Sequence, residues 1–155
     1  MRKLSIVTIA ILALAGAIHC PAQQHDKGYW RAASNSAVKI TGDIAISDSK
    51  LTLNLHSYPL ASIRNLQPVE VSALFDVDVN TAGQGTLYRL KIPAELKLQH
   101  HNTLCGSDET QWMATYLSGG KSLEVAFFSG DDVPVFTIDK ISNSTTLCGT
   151  FSFAR

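Results

Sequence analysis

The chain has 155 residues, and its 13 basic side chains are balanced by 13 acidic ones. A neutral balance with no basic stripe argues against nucleic acid as a partner. The length allows one sizeable core, and no Pro- or Ser-rich linker or low-complexity segment divides it.

Residues 1–22 read as a secretory signal peptide. Met1 is followed by Arg2 and Lys3, then by an apolar run from Leu4 to Ile18 broken only by Ser5, Thr8 and Gly16. A charged start, a short apolar segment and small residues beyond it are the parts of an export signal. The run is shorter than the roughly 20 residues a membrane-spanning helix needs, and no second run follows. Cleavage after Ala22 places Cys20 and Ala22 at the small-residue positions. Cleavage after Ala17 and lipidation of Cys20 are alternatives, although His19 departs from the small residue a lipobox requires. The expected location is the periplasm or the cell exterior.

With Ala22 as the cut, Cys105 and Cys148 remain, each in a Thr-Leu-Cys-Gly context. An even cysteine count in an exported chain reads as a disulfide. Closing a loop of about 44 residues stabilises by about 4 kcal/mol on the chain-entropy account.

Residues 23–155 are expected to form one all-β domain, because alternation with period two recurs between turn signals. Val38 to Ile46 carries Val38, Ile40, Ile44 and Ile46 on one side. Ser47-Asp48-Ser49 turns into Lys50 to His56, where Leu51, Leu53 and Leu55 point inward. Tyr58-Pro59 breaks the ladder, and Leu60, Ile63 and Leu66 fit one helical turn over an open end. The longest strand is expected over 69–79, with Val69, Val71, Ala73, Phe75, Val77 and Val79 inward and Glu70, Ser72, Leu74, Asp76 and Asp78 outward. Gly83-Gln84-Gly85 turns into Thr86 to Ile92; residues 93–102 are irregular or a short strand. Gln111 to Leu117 and Ser122 to Phe128 form a hairpin about Ser118-Gly119-Gly120-Lys121. Ser129-Gly130-Asp131-Asp132 leads to a strand over 133–139, and Leu147 to Ala154 is the last. About eight strands with short connections predict a single antiparallel up-and-down barrel, with a β-sandwich as the alternative.

Gly28-Tyr29-Trp30, just ahead of the first of these strands, resembles the Gly-x-Trp motif that opens a lipocalin or broader calycin barrel. The resemblance implies that Trp30 packs at the closed end against an arginine from the last strand, for which Arg155 is the candidate. It also implies an open-ended cavity for a small apolar ligand. The family's helix between the last strands and the C-terminus has no counterpart in the pattern. More loosely, Ser129-Gly130-Asp131-Asp132 is similar to the inserting loop of small exported lysozyme-inhibitor barrels.

Other motifs have plain readings. Asp76-Val77-Asp78-Val79-Asn80 alternates oxygen ligands, but Thr81 and Leu87 stand where a calcium loop needs Gly and Glu. It reads as a solvated strand face. Gly120-Lys121-Ser122 is a hairpin rather than a phosphate loop, and His100-His101 reads as a solvated loop. An N-terminal Gln23-Gln24-His25 has the donors for square-planar copper. No nucleophile elbow or zinc-protease motif occurs, and Glu70 with Asp76 or Asp78 is the nearest approach to a carboxylate pair.

The expected function is therefore non-enzymatic and without cofactor or metal: a monomeric carrier of a small apolar ligand, with Trp30, Tyr88, Trp112, Tyr116 and Phe127 as cavity residues. The alternative is a protein-binding module acting through Ser129, Gly130, Asp131 and Asp132 and the loop from His100 to Ser107. An open interior favours the first, and a core filled by its own side chains favours the second.

Overall fold

Eight strands close into a barrel in which each pairs antiparallel with its neighbours in sequence and the last returns to the first. The computed structural model describes residues 26–155. The expected signal peptide, Cys20 and Gln23-Gln24-His25 lie outside them. The strands are β1 (Gly28–Ala32), β2 (Ile44–Ile46), β3 (Lys50–Leu53), β4 (His56–Leu66), β5 (Gly85–Ile92), β6 (Thr110–Ser118), β7 (Ser122–Ser129) and β8 (Leu147–Ala154). Helices α1 (Pro68–Phe75) and α2 (Ile138–Ser142) lie in the β4–β5 and β7–β8 connections. The up-and-down barrel expected from alternation is the one observed, and Cys105 is bonded to Cys148 with the Cα atoms 4.8 Å apart.

Inward-pointing residues fill the barrel. Trp30, Ile44, Leu51, Leu53, Tyr88, Leu90, Met113, Val125, Phe127, Phe151 and Phe153 form one continuous buried cluster. Phe127 and Phe151 meet edge to face at 5.6 Å. A second buried cluster lies outside the wall, where Leu87, Trp112, Ala114, Tyr116, Ala126 and Phe128 of β5 to β7 are covered by Val71, Leu74 and Phe136. This part of the sheet is therefore buried on both faces.

Gly85 sets how closely β5 approaches β6. A Cβ there would lie 2.4 Å from the Thr115 carbonyl oxygen, a contact with backbone that cannot rotate away. Only glycine admits this start to β5.

Four local expectations are corrected. Residues 69–79 are not a strand. Pro68 occupies the first helical position of α1, where its missing N–H costs nothing, and Gln67 and Glu70 form a reciprocal capping box. Glu70 accepts the Gln67 N–H at 2.9 Å. Helical spacing buries Val71, as expected, together with Leu74, expected outward, and exposes Val69: Leu74 is 6 % exposed and Val69 63 %. Asp76 ends the helix in a left-handed conformation. Asp78 accepts the Asn80 N–H at 2.8 Å, so Asp76 to Asn80 is a helix end and turn, not a strand face.

Val38 to Ile46 is likewise not one strand. Ala37–Thr41 coil into a wide helical turn, closed by the Gly42 N–H on the Ala37 carbonyl at 2.8 Å and ended by Gly42 at φ +62°. Ala37 and Thr41 are buried and Val38 is 54 % exposed. Leu60 to Leu66 belongs to β4 rather than to a helical turn. The Leu60 N–H donates to Ser49 O at 2.9 Å, so the Pro59 nitrogen faces the side where pairing with β5 begins only at Leu60. Proline is tolerated there because no ladder bond is lost.

Finally, 133–139 is not a strand. Val133 to Phe136 run on without turn or bend and join no sheet. Thr137 caps α2 by accepting the Lys140 N–H at 3.4 Å. A short helix thus takes the place of the expected strand, before β8.

Candidate functional site

Two ends of the barrel differ in character. At one end, Ala37–Thr41 packs with the single turn Gln99–His101, and buried Leu98 and Leu104 close the core beneath. The Cys105–Cys148 bond ties this loop to the start of β8. At the other end, the Arg155 guanidinium lies 4.3 Å over the Trp30 ring and donates to Gly120 O at 3.1 Å and Lys27 O at 3.2 Å. This is the partner that the Gly-x-Trp resemblance implies.

The five aromatic residues expected to line one cavity fall on two sides of the wall. Trp30, Tyr88 and Phe127 are inside, packed into the core. Trp112 and Tyr116 share the other parity of β6 and face outward. Tyr116 stacks on Phe75 at 6.0 Å. Trp112 lies under the Arg89 guanidinium at 4.5 Å and donates to Gly130 O at 3.1 Å.

The Ser129 to Asp132 loop is held against the barrel. Ser129 is buried and its N–H donates to Thr146 O at 2.9 Å. Arg89 reaches Asp131 Oδ1 at 3.5 Å while also binding Gln111. Asp131 and Asp132 remain exposed. In the His100 to Ser107 loop, His100 and His101 are exposed, and Cys105 is committed to the disulfide.

Beyond the Ser129 to Asp132 loop the wall carries a surface groove that sequence reasoning does not find. Its volume is about 680 Å³, and it lies between α1 and the strip from Val133 to Ile138. Five aliphatic side chains, Val69, Val79, Val133, Val135 and Ile138, stand exposed around it, Ile138 at 72 %. Phe136 forms its floor, meeting Phe128 edge to face at 5.8 Å. The rim carries Arg64, which lies 5.9 Å over Phe136 and holds Glu70 through two 2.7 Å hydrogen bonds. That bidentate contact keeps the Glu70 carboxyl below the ordinary range for glutamate, despite partial burial.

No family model, curated protein or solved structure matches the chain. Among the described residues, no group of three or more His, Cys, Asp and Glu side chains is placed to hold a metal ion. No helix among them is long and apolar enough to cross a membrane.

The sequence hides the groove because its valines alternate as they would in two strands, over 69–79 and 133–139. Taken as pleated, Val69, Val133 and Val135 belong in a core. The available signal was Pro68 with Glu70 two residues on, an N-terminal helix signature that exposes Val69.

Proposed function

We propose that this chain is an exported, non-catalytic binding protein that engages an apolar segment of a partner protein through the outer groove. The observation that carries the reading is the gathering of five exposed aliphatic side chains around one concavity. Contiguous apolar surface of this kind on a soluble fold marks an interaction site, whereas scattered single residues do not.

The form of the groove favours an extended peptide. Val133 to Phe136 alternate outward and inward, and their backbone groups make no hydrogen bond to other described residues. Such a strip offers both main-chain partners and side-chain contacts to an added strand. The Ser129 to Asp132 loop leads directly into it, so the expected partner loop and the groove adjoin. The barrel interior is filled by its own side chains, which supports a surface binder over a carrier with an internal cavity. Calycin-like ancestry is part of the proposal, supported by the closed eight-strand meander and the Trp30–Arg155 stack.

Selection from a random peptide display library against the intact protein tests this. Enriched peptides should be apolar and extended, and should lose affinity for a Val69→Asp, Val135→Asp double variant by at least about tenfold, given about 1.5–3 kcal/mol per buried aliphatic side chain. Peptides that bind the variant equally well sink the reading. So does concentration-dependent self-association abolished by the same substitutions, which makes the groove a dimer contact. Saturable uptake of a fatty acid into the groove, with no peptide selected, replaces it with a small apolar ligand.

A further inference from the structure

A second cavity, of about 520 Å³, lies at the barrel end where the described chain begins. Its lining is polar and includes Asp26, Lys27, Asp48, Ser62, Asn65 and Thr86. Asp26 is only 8 % exposed. Its carboxylate accepts the Tyr88 hydroxyl on both oxygens, at 2.8 and 3.0 Å, and the Thr115 hydroxyl as well. Its main-chain carbonyl accepts the Trp30 indole N–H at 2.8 Å. Burial and the neighbouring carboxylate hold the Tyr88 phenol far above its usual range, so it acts as a donor.

The described groups that hydrogen-bond to Asp26 are all neutral. The nearest lysine in sequence, Lys27, is engaged with Asp48 instead. Buried charges in folded proteins are paired, because neutral donors alone do not replace the solvation that a carboxylate loses. Two hydroxyl donors also leave acceptor positions on the carboxylate unfilled. This buried charge has no cationic partner among the described residues, and it faces a cavity large enough for a small organic molecule.

We infer that this barrel mouth binds a small organic cation, its guanidinium or ammonium head on Asp26 and its polar body against Ser62, Asn65 and Thr86. The Tyr88 and Thr115 hydroxyls fix the carboxylate in place, and Trp30 fixes the backbone that carries it. The inference is independent of the outer groove.

The probes are N-acetyl-arginine amide and N-acetyl-citrulline amide, which share a shape and differ in the charge of the head group. Calorimetric titration of the intact protein at low ionic strength should show saturable binding of the arginine compound. The citrulline compound should bind at least about tenfold more weakly, as expected for loss of one charge-assisted hydrogen-bonded contact. Asp26→Asn should lower the affinity for the arginine compound by a similar factor. Ser62→Trp, at an exposed position that pairs with Tyr88 but makes no hydrogen bond to Asp26, should block entry, and with an unchanged circular dichroism spectrum it serves if Asp26→Asn does not fold. Absence of saturable binding, equal binding of the two compounds, or binding that survives either substitution overturns the inference.

Discussion

Replacing Arg155 by alanine should lower stability by about 2 kcal/mol, a large effect for an exposed residue. The guanidinium lies 4.3 Å over a fully buried indole. Such a contact contributes about 1 kcal/mol when one side of the cation stays in water. Its hydrogen bonds to the carbonyls of Gly120 and Lys27 are charge-assisted but solvent-facing, at about 0.5 kcal/mol each. Urea unfolding in a Trp112→Phe background, where Trp30 is the remaining tryptophan, reports on this end of the barrel. With a slope of about 2 kcal/mol/M for a domain of this size, the midpoint should fall by about 1 M. Native emission should also shift to the red as water reaches the indole. Arg155→Lys should fall between, because an ammonium keeps the charge but cannot lie flat on the ring. A midpoint for Arg155→Ala within about 0.2 M of the parent would refute the reasoning and make the stack a bystander.

Three further outcomes are expected. The double variant Cys105→Ser, Cys148→Ser should lose up to about 4 kcal/mol in the same urea assay, since the bond closes a sequence separation of 43. Glu70 is held below its usual range first by the Arg64 hydrogen bonds and also by the Gln67 N–H. Its contribution is therefore present above the unfolded value near pH 4.3 and is lost as pH falls through the folded one. With Arg64 41 % exposed, solvent screening limits this to about 0.5–1 kcal/mol, so Glu70→Gln should be less stable at pH 7 and approach the parent as pH falls through the lowered folded value. Gly85→Ala should destabilise by about 1–3 kcal/mol through its clash with the Thr115 carbonyl, read as a lowered thermal midpoint.

The hairpin of β6 and β7 was legible because its turn residues are glycines and its alternation is clean. The Trp30–Arg155 contact was legible from the motif at one end of the chain and an arginine at the other. The strand count was also right, but two members were exchanged. Alternating valines at 69–79 and 133–139 mimic strands, whereas Pro68 with Glu70, and Thr137 with Lys140, start helices. β1 and β4 take their places, with β4 concealed by Pro59. The double burial of β5 to β7 hid the outer site, because a strand covered on both faces does not report which side is core. Trp112 and Tyr116 were thus grouped with Trp30 and Phe127 from the opposite face. Asp26 was not legible at all, since only the closed barrel brings it to Tyr88 and Thr115.

The hydrogen bond from Arg155 to the Lys27 carbonyl brings the start and finish of the described fold into contact. A peptide linker of a few glycines and serines can therefore join residue 155 to residue 26, and new termini can be opened in the exposed Asn54-Leu55 hairpin at the far end. Such a permuted chain keeps every strand neighbour and carries a display tag or immobilisation handle away from the polar mouth, leaving that cavity unobstructed for titration.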